Sequence, residues 1–73
     1  MEHEIYTIYL YDNIDESFDS EFGTPNELLK YIDEEPYRFN SNIAYDLEDS
    51  SGFQLDSYVR KQDIIQKLKS LNK

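Results

Sequence analysis

Seventy-three residues carry sixteen acids against seven bases, for a formal net charge of −9, with seven tyrosines, four phenylalanines, one histidine and no cysteine. Without cysteine there is neither a disulfide staple nor a thiolate for catalysis or metal binding, which fits a reducing compartment. A chain this acidic is expected to avoid nucleic acid and anionic membranes and to attract basic partners.

The length allows one domain, residues 1–73, burying only about 60% of the surface its unfolded chain exposes. No apolar run approaches the roughly 20 residues of a membrane span. The N-terminal Met-Glu-His-Glu-Ile-Tyr lacks a signal peptide's basic region. We therefore expect a soluble cytoplasmic protein. The aromatic content argues against disorder. Charge is unevenly spread: residues 1–59 hold fifteen acids and two bases, Lys30 and Arg38, whereas residues 60–73 hold five bases and Asp63.

The first predicted element is a strand over Glu4–Tyr11, which is β-branched and aromatic and alternates. Tyr6, Ile8 and Leu10 mark one face, and Ile5, Thr7, Tyr9 and Tyr11 the other. One face should meet a helix. The other has two readings, a dimer surface or tyrosines with their hydroxyls in water. An acidic, aromatic loop is expected next, with Asp12, Asp15, Glu16, Asp19 and Glu21 around Phe18 and Phe22.

Thr24-Pro25-Asn26-Glu27 then reads as a capping box with proline at the first helical position. Leu28, Leu29 and Ile32 form a helical stripe, and Pro36 stops the helix. Tyr37, Arg38 and Phe39 fit no element. Ile43, Tyr45 and Leu47 alternate, Asp49-Ser50-Ser51-Gly52 turns, and Phe53, Leu55 and Val59 continue the pattern as a hairpin, with Ser57 interrupting its second strand. Ile64, Ile65, Leu68 and Leu71 line a last helix over about residues 62–71, without a clear cap. The expected fold class is α+β: a β-α-β-β-α domain, with a three-stranded antiparallel sheet and helices on one face.

Enzyme chemistry finds little footing. His3 is the only histidine and is expected to be an exposed residue without a role near the terminus, and without cysteine no Cys–His pair can be assembled. Two glycines build no phosphate-cradling loop. No stretch matches a calcium loop: counting from Asp15, position six is Ser20 and position twelve Asn26. We expect no enzyme, no cofactor and no metal.

A broken rule points toward binding instead. Asp33, Glu34 and Glu35 stand at a helix C-terminus, where the macrodipole disfavours anions by about 0.3–1 kcal/mol each. The last helix obeys that rule, with Asp63 in its first turn and Lys67, Lys69 and Lys73 at its end. Asp46, Glu48, Asp49 and Asp56 add carboxylates on and beside the hairpin, and alternation sends Asp46, Glu48 and Asp56 away from the apolar face. The candidate partner-binding set is thus Asp12, Asp15, Glu16, Asp19, Glu21, Asp33, Glu34, Glu35, Asp46, Glu48, Asp49 and Asp56. Such an array can imitate DNA, which carries about one charge per 1.7 Å of axis, with tyrosine and phenylalanine as anchors.

In size, acidity, aromatic content and lack of cysteine, with usage rich in Ile, Asn, Asp and Lys, the whole chain resembles the small phage-encoded inhibitors that mimic DNA. Among them it looks most like the acidic sliding-clamp inhibitors of staphylococcal phages. The resemblance implies a homodimer that fills the DNA channel of the DNA polymerase III clamp and blocks its loading onto DNA in the bacterial host cytoplasm. It implies no transferable site residues. Gln54-Leu55 and Gln62-Asp63-Ile64-Ile65 only loosely echo a clamp-binding peptide, so binding would run through the acidic surface. The alternative expectation is an immunity protein, antitoxin or anti-CRISPR-type inhibitor covering a basic nuclease.

Overall fold

The computed structural model describes residues 4–12 and 17–72. Six elements follow in the order β1 (Tyr6–Tyr11), β2 (Ser17–Gly23), α1 (Pro25–Glu34), β3 (Ala44–Glu48), β4 (Gln54–Val59) and α2 (Lys61–Leu71). The strands form one four-stranded sheet in the order β2-β1-β3-β4, antiparallel at every pairing. The expectation of three strands is therefore corrected: residues 17–23, read as loop, form an edge strand on β1. The α+β class and the packing of both helices on one sheet face agree with expectation.

The missed strand hides its pattern by inverting it. Cross-strand partners share a face, and β2 sets Glu21 opposite Ile8 and Asp19 opposite Leu10. Its acids thus share the face on which β1 buries Ile8 and Leu10 completely. Ser20 and Phe22 share the open face with Tyr9 and Thr7. Such an inward-charged edge strand reads as a solvated loop until its counter-charge is known.

The core fills the space between the sheet and the two helices. Tyr6, Ile8, Leu10, Tyr45 and Leu47 from the sheet meet Leu28 and Ile32 of α1 and Ile64 and Leu68 of α2. At about 25 cal/mol per Å² of apolar area, this layer is the main stabilising term. Phe39, unplaced by sequence, is fully buried and stacks on Tyr45 at 6.3 Å. The Tyr45 hydroxyl donates to the Asn40 carbonyl at 2.7 Å.

Local chemistry starts and stops the elements. The Glu27 amide donates to Thr24 Oγ1 at 3.2 Å and the Thr24 amide to Glu27 Oε1 at 2.9 Å, so the capping box is complete. Asp63 gives α2 half of the same device, accepting from the Arg60 amide at 3.3 Å. Asp49 builds the β3–β4 turn: its Oδ1 accepts from the Ser51 and Phe53 amides and the Ser51 hydroxyl. Gly52 supplies the left-handed residue there, at φ 92°.

The edge strand β4 is irregular. Tyr45 pairs with Val59 and Leu47 with Asp56, so β4 spends one extra residue between these pairs. Within that bulge Tyr58 takes φ 53°, a left-handed conformation that costs a bulky residue roughly 1–2 kcal/mol.

Candidate binding face

The helices cover one face of the sheet and leave the other open. Thr7, Tyr9 and Tyr11 of β1 stand opposite Glu48, Asp46 and Ala44 of β3 on this open face. Phe22 joins them from β2 and is 68% exposed; Phe18, beside the β1–β2 irregularity, is 54% exposed. Tyr58 is 46% exposed, and its ring meets that of Tyr11 edge-on, with centroids 5.8 Å apart. The bulge in β4 swings this ring onto Tyr11.

Asp46 lies beneath these rings, only 8% exposed. Its carboxylate accepts from the Tyr11 hydroxyl at 2.9 Å, from Gln54 Nε2 at 2.6 Å and from the Tyr58 amide at 2.6 Å. Beside it, Glu48 accepts from the Tyr9 hydroxyl at 3.1 Å. These hydrogen bonds to Glu48 and Asp46 push the Tyr9 and Tyr11 hydroxyls above their ordinary range, since a phenol bonded to a carboxylate resists becoming a second anion. The open face therefore holds two carboxylates framed by tyrosines.

A second cluster binds acids that sequence reading assigned to a partner. Arg38 Nε lies 2.5 Å from Asp19, Nη1 lies 2.8 Å from Glu21 and 3.1 Å from Glu35, and Nη2 donates to the Ser20 carbonyl at 2.9 Å. The guanidinium also sits 5.2 Å from the centre of the buried Phe39 ring. Its hydrogen bond holds the Asp19 carboxyl below its usual range, and the three carboxylates raise Arg38 in turn, with Asp19 contributing most. This clamp joins β2 to the end of α1, which is why acids can point inward from an edge strand.

The twelve candidate acids thus divide by the work they do. Asp19, Glu21 and Glu35 are held by Arg38. Asp49 is a turn residue whose carboxyl is lowered, chiefly by the Ser51 hydroxyl. Asp46 and Glu48 belong to the open face as alternation predicted, whereas Asp56 is half-buried across from Leu47, where the register slips. Asp15 and Glu16 lie outside the described residues. Asp12, Asp33 and Glu34 remain as exposed acids that enter no ion pair among the described residues.

Topology gathers those last three. β1 ends at Tyr11, and β3 begins at Ala44 directly opposite it. α1 starts next to Gly23, at the other end of the sheet, so its C-terminus points back toward the Tyr11 end. Asp33 and Glu34 therefore lie toward the same end of the molecule as Asp12, an end that Arg60 and Lys61 also approach because Val59 stands opposite Tyr45.

Sequence reasoning missed the role of Tyr58 and the clamp of Arg38. Ser57, noted as an interruption, was the trace of the first; the second joins residues nineteen apart and left no local pattern. Between the helices lies a groove of about 530 Å³ with an apolar floor of Leu29, Ile32 and Ile65, rimmed by Asp33, Lys61 and Lys69. Among the described residues, no three acids or histidines group as metal ligands, and no helix is long and apolar enough to cross a membrane. No protein-family model matches the chain, and neither a curated protein nor a solved structure matches it.

Proposed function

We propose that this chain is an acidic inhibitor that covers the DNA-binding surface of a basic host protein and competes with DNA for it. The reading is supported above all by the pole formed by Asp12, Asp33 and Glu34. These carboxylates are exposed and enter no ion pair among the described residues, and two of them sit where the α1 dipole opposes them. A net charge of −9 adds long-range attraction toward lysines and arginines that otherwise hold phosphates. The resemblance in size, acidity and cysteine-free composition selects the sliding clamp as the first partner to try.

The test is a clamp-loading assay on primed DNA with increasing amounts of the chain. Loading should fall, and raising the salt to about 0.5 M should restore it, because exposed charges are then screened within a few ångströms. Reversing Asp33 and Glu34 to lysine should abolish the inhibition while the fold persists. Undiminished loading at saturating protein would remove the clamp as target. Inhibition that ignores both salt and charge reversal would remove DNA mimicry itself.

A further inference from the structure

We propose that the open sheet face is a second recognition surface, one that takes an arginine-bearing segment of a partner and seats the guanidinium between the Tyr9, Tyr11 and Tyr58 rings, over Asp46 and Glu48. The first support is an unmatched buried charge. Asp46 is almost wholly buried, yet its three hydrogen-bond donors, a phenol, an amide side chain and a backbone N–H, are all neutral. Buried carboxylates are ordinarily matched by a cation. Every ion pair found among the described residues belongs to Arg38, on the other side of the sheet.

The rings complete the site. Tyrosine faces attract a guanidinium within about 6 Å, and desolvation strengthens the attraction. A planar guanidinium can donate to Glu48 while it stacks on a ring, and its charge then offsets that of Asp46 beneath the rings. Phe18 and Phe22 extend the face as an exposed apolar margin for the residues flanking the arginine.

Charge and area both disfavour a second copy of the chain as the occupant. A face-to-face dimer would set Asp46 and Glu48 of one protomer against the same residues of its partner, between molecules that each carry −9. Four strands about 4.8 Å apart, five to seven residues long at about 3.3 Å per residue, give a projected face of roughly 400 Å². That is about half of what each side contributes to a stable protein interface. It suits an extended cationic segment.

The experiment titrates the ¹⁵N-labelled chain with a short peptide alternating arginine and valine, in about 0.15 M salt. A matched peptide carries citrulline, which keeps the shape and removes the charge. The arginine peptide should shift the amides of Tyr9, Tyr11, Asp46 and Tyr58 and bind at least about tenfold more tightly than the citrulline peptide. Glu48→Gln, a substitution outside the buried network, should weaken binding several-fold. The pair Asp33→Asn and Glu34→Gln should change it less than about twofold, since those acids lie at the pole. Equal binding of both peptides, no binding, or shifts confined to Asp12, Asp33 and Glu34 would overturn the proposal. So would sedimentation showing a dimer whose formation shifts the Tyr9 and Tyr11 resonances and shields their rings from solvent. The inference stands apart from the DNA-competition reading: polar charge reversal tests that one, and Glu48→Gln tests this one.

Discussion

Replacing Arg38 with methionine is the most informative perturbation of the fold. Methionine keeps an unbranched stem over Phe39 and removes the guanidinium, so packing is largely preserved while four polar partners are lost. The Arg38 side chain is 24% exposed and its carboxylates 25–42%, so each contact is solvent-screened and well below the value of a buried pair. Taking about 0.5–1 kcal/mol for each of three screened ion pairs, and a similar amount for the Ser20 carbonyl, gives a total of about 2–4 kcal/mol. Mutual repulsion among the abandoned Asp19, Glu21 and Glu35 acts in the same direction. In a domain of this size each 1 kcal/mol lowers Tm by about 4–8 °C, so a loss of at least about 8 °C is expected by circular dichroism.

The pH dependence carries a second signature. The Asp19 carboxyl is lower in the folded state than its ordinary 3.8, so its stabilisation is fully present above that value and is lost as pH falls through the folded value. The wild-type chain should therefore lose stability steeply below about pH 4, and the methionine variant less steeply. Amide exchange should also quicken first in β2. A Tm change under about 2 °C, or an unaltered acid limb, would refute the argument that this clamp secures the edge strand.

Three further outcomes follow from the geometry. Thr24→Ala removes one half of the capping box and should cost about 1 kcal/mol, read from urea unfolding. Asp33→Asn with Glu34→Gln should raise stability by about 0.3–1 kcal/mol per site, by relieving the α1 dipole, while weakening inhibition in the DNA-competition assay; a loss of stability would contradict the exposed, unpaired setting of these acids. Burial pushes the Tyr45 hydroxyl up to about 12, and Tyr6, Tyr9 and Tyr11 are raised as well. Stability supplied by neutral tyrosines should thus hold below pH 10 and fall between about pH 10 and 12, which unfolding monitored alongside tyrosinate absorbance will show.

The elements legible in the sequence are those whose signals are local. The capping box at Thr24, the alternation of β1, the Asp49–Gly52 turn and the stripe of α2 all act within a few residues. The strand β2 was not legible because its alternation runs backwards, with acids turned inward, and the residue that makes this tolerable stands at position 38. The same holds for the candidate site. Charge density marked the acids, but only the three-dimensional arrangement separates Asp46, held by Tyr11, Gln54 and the Tyr58 amide, from Asp33 and Glu34, which enter no ion pair among the described residues. Composition reports how many carboxylates exist and is silent on which are already engaged.

The two edges of the sheet have one further consequence. An exposed edge strand offers unpaired backbone groups to any passing strand and is the usual starting point for fibres. Here β4 is bent by the Tyr58 bulge, and β2 points Asp19 and Glu21 inward with Arg38 set against its Ser20 carbonyl. Neither border is a flat template, so the aromatic, cysteine-free chain should remain dispersed at concentrations where a plain four-stranded sheet would stack. The same guarding closes off partners that bind by lending a strand. Whatever this protein recognises must be read by its side chains.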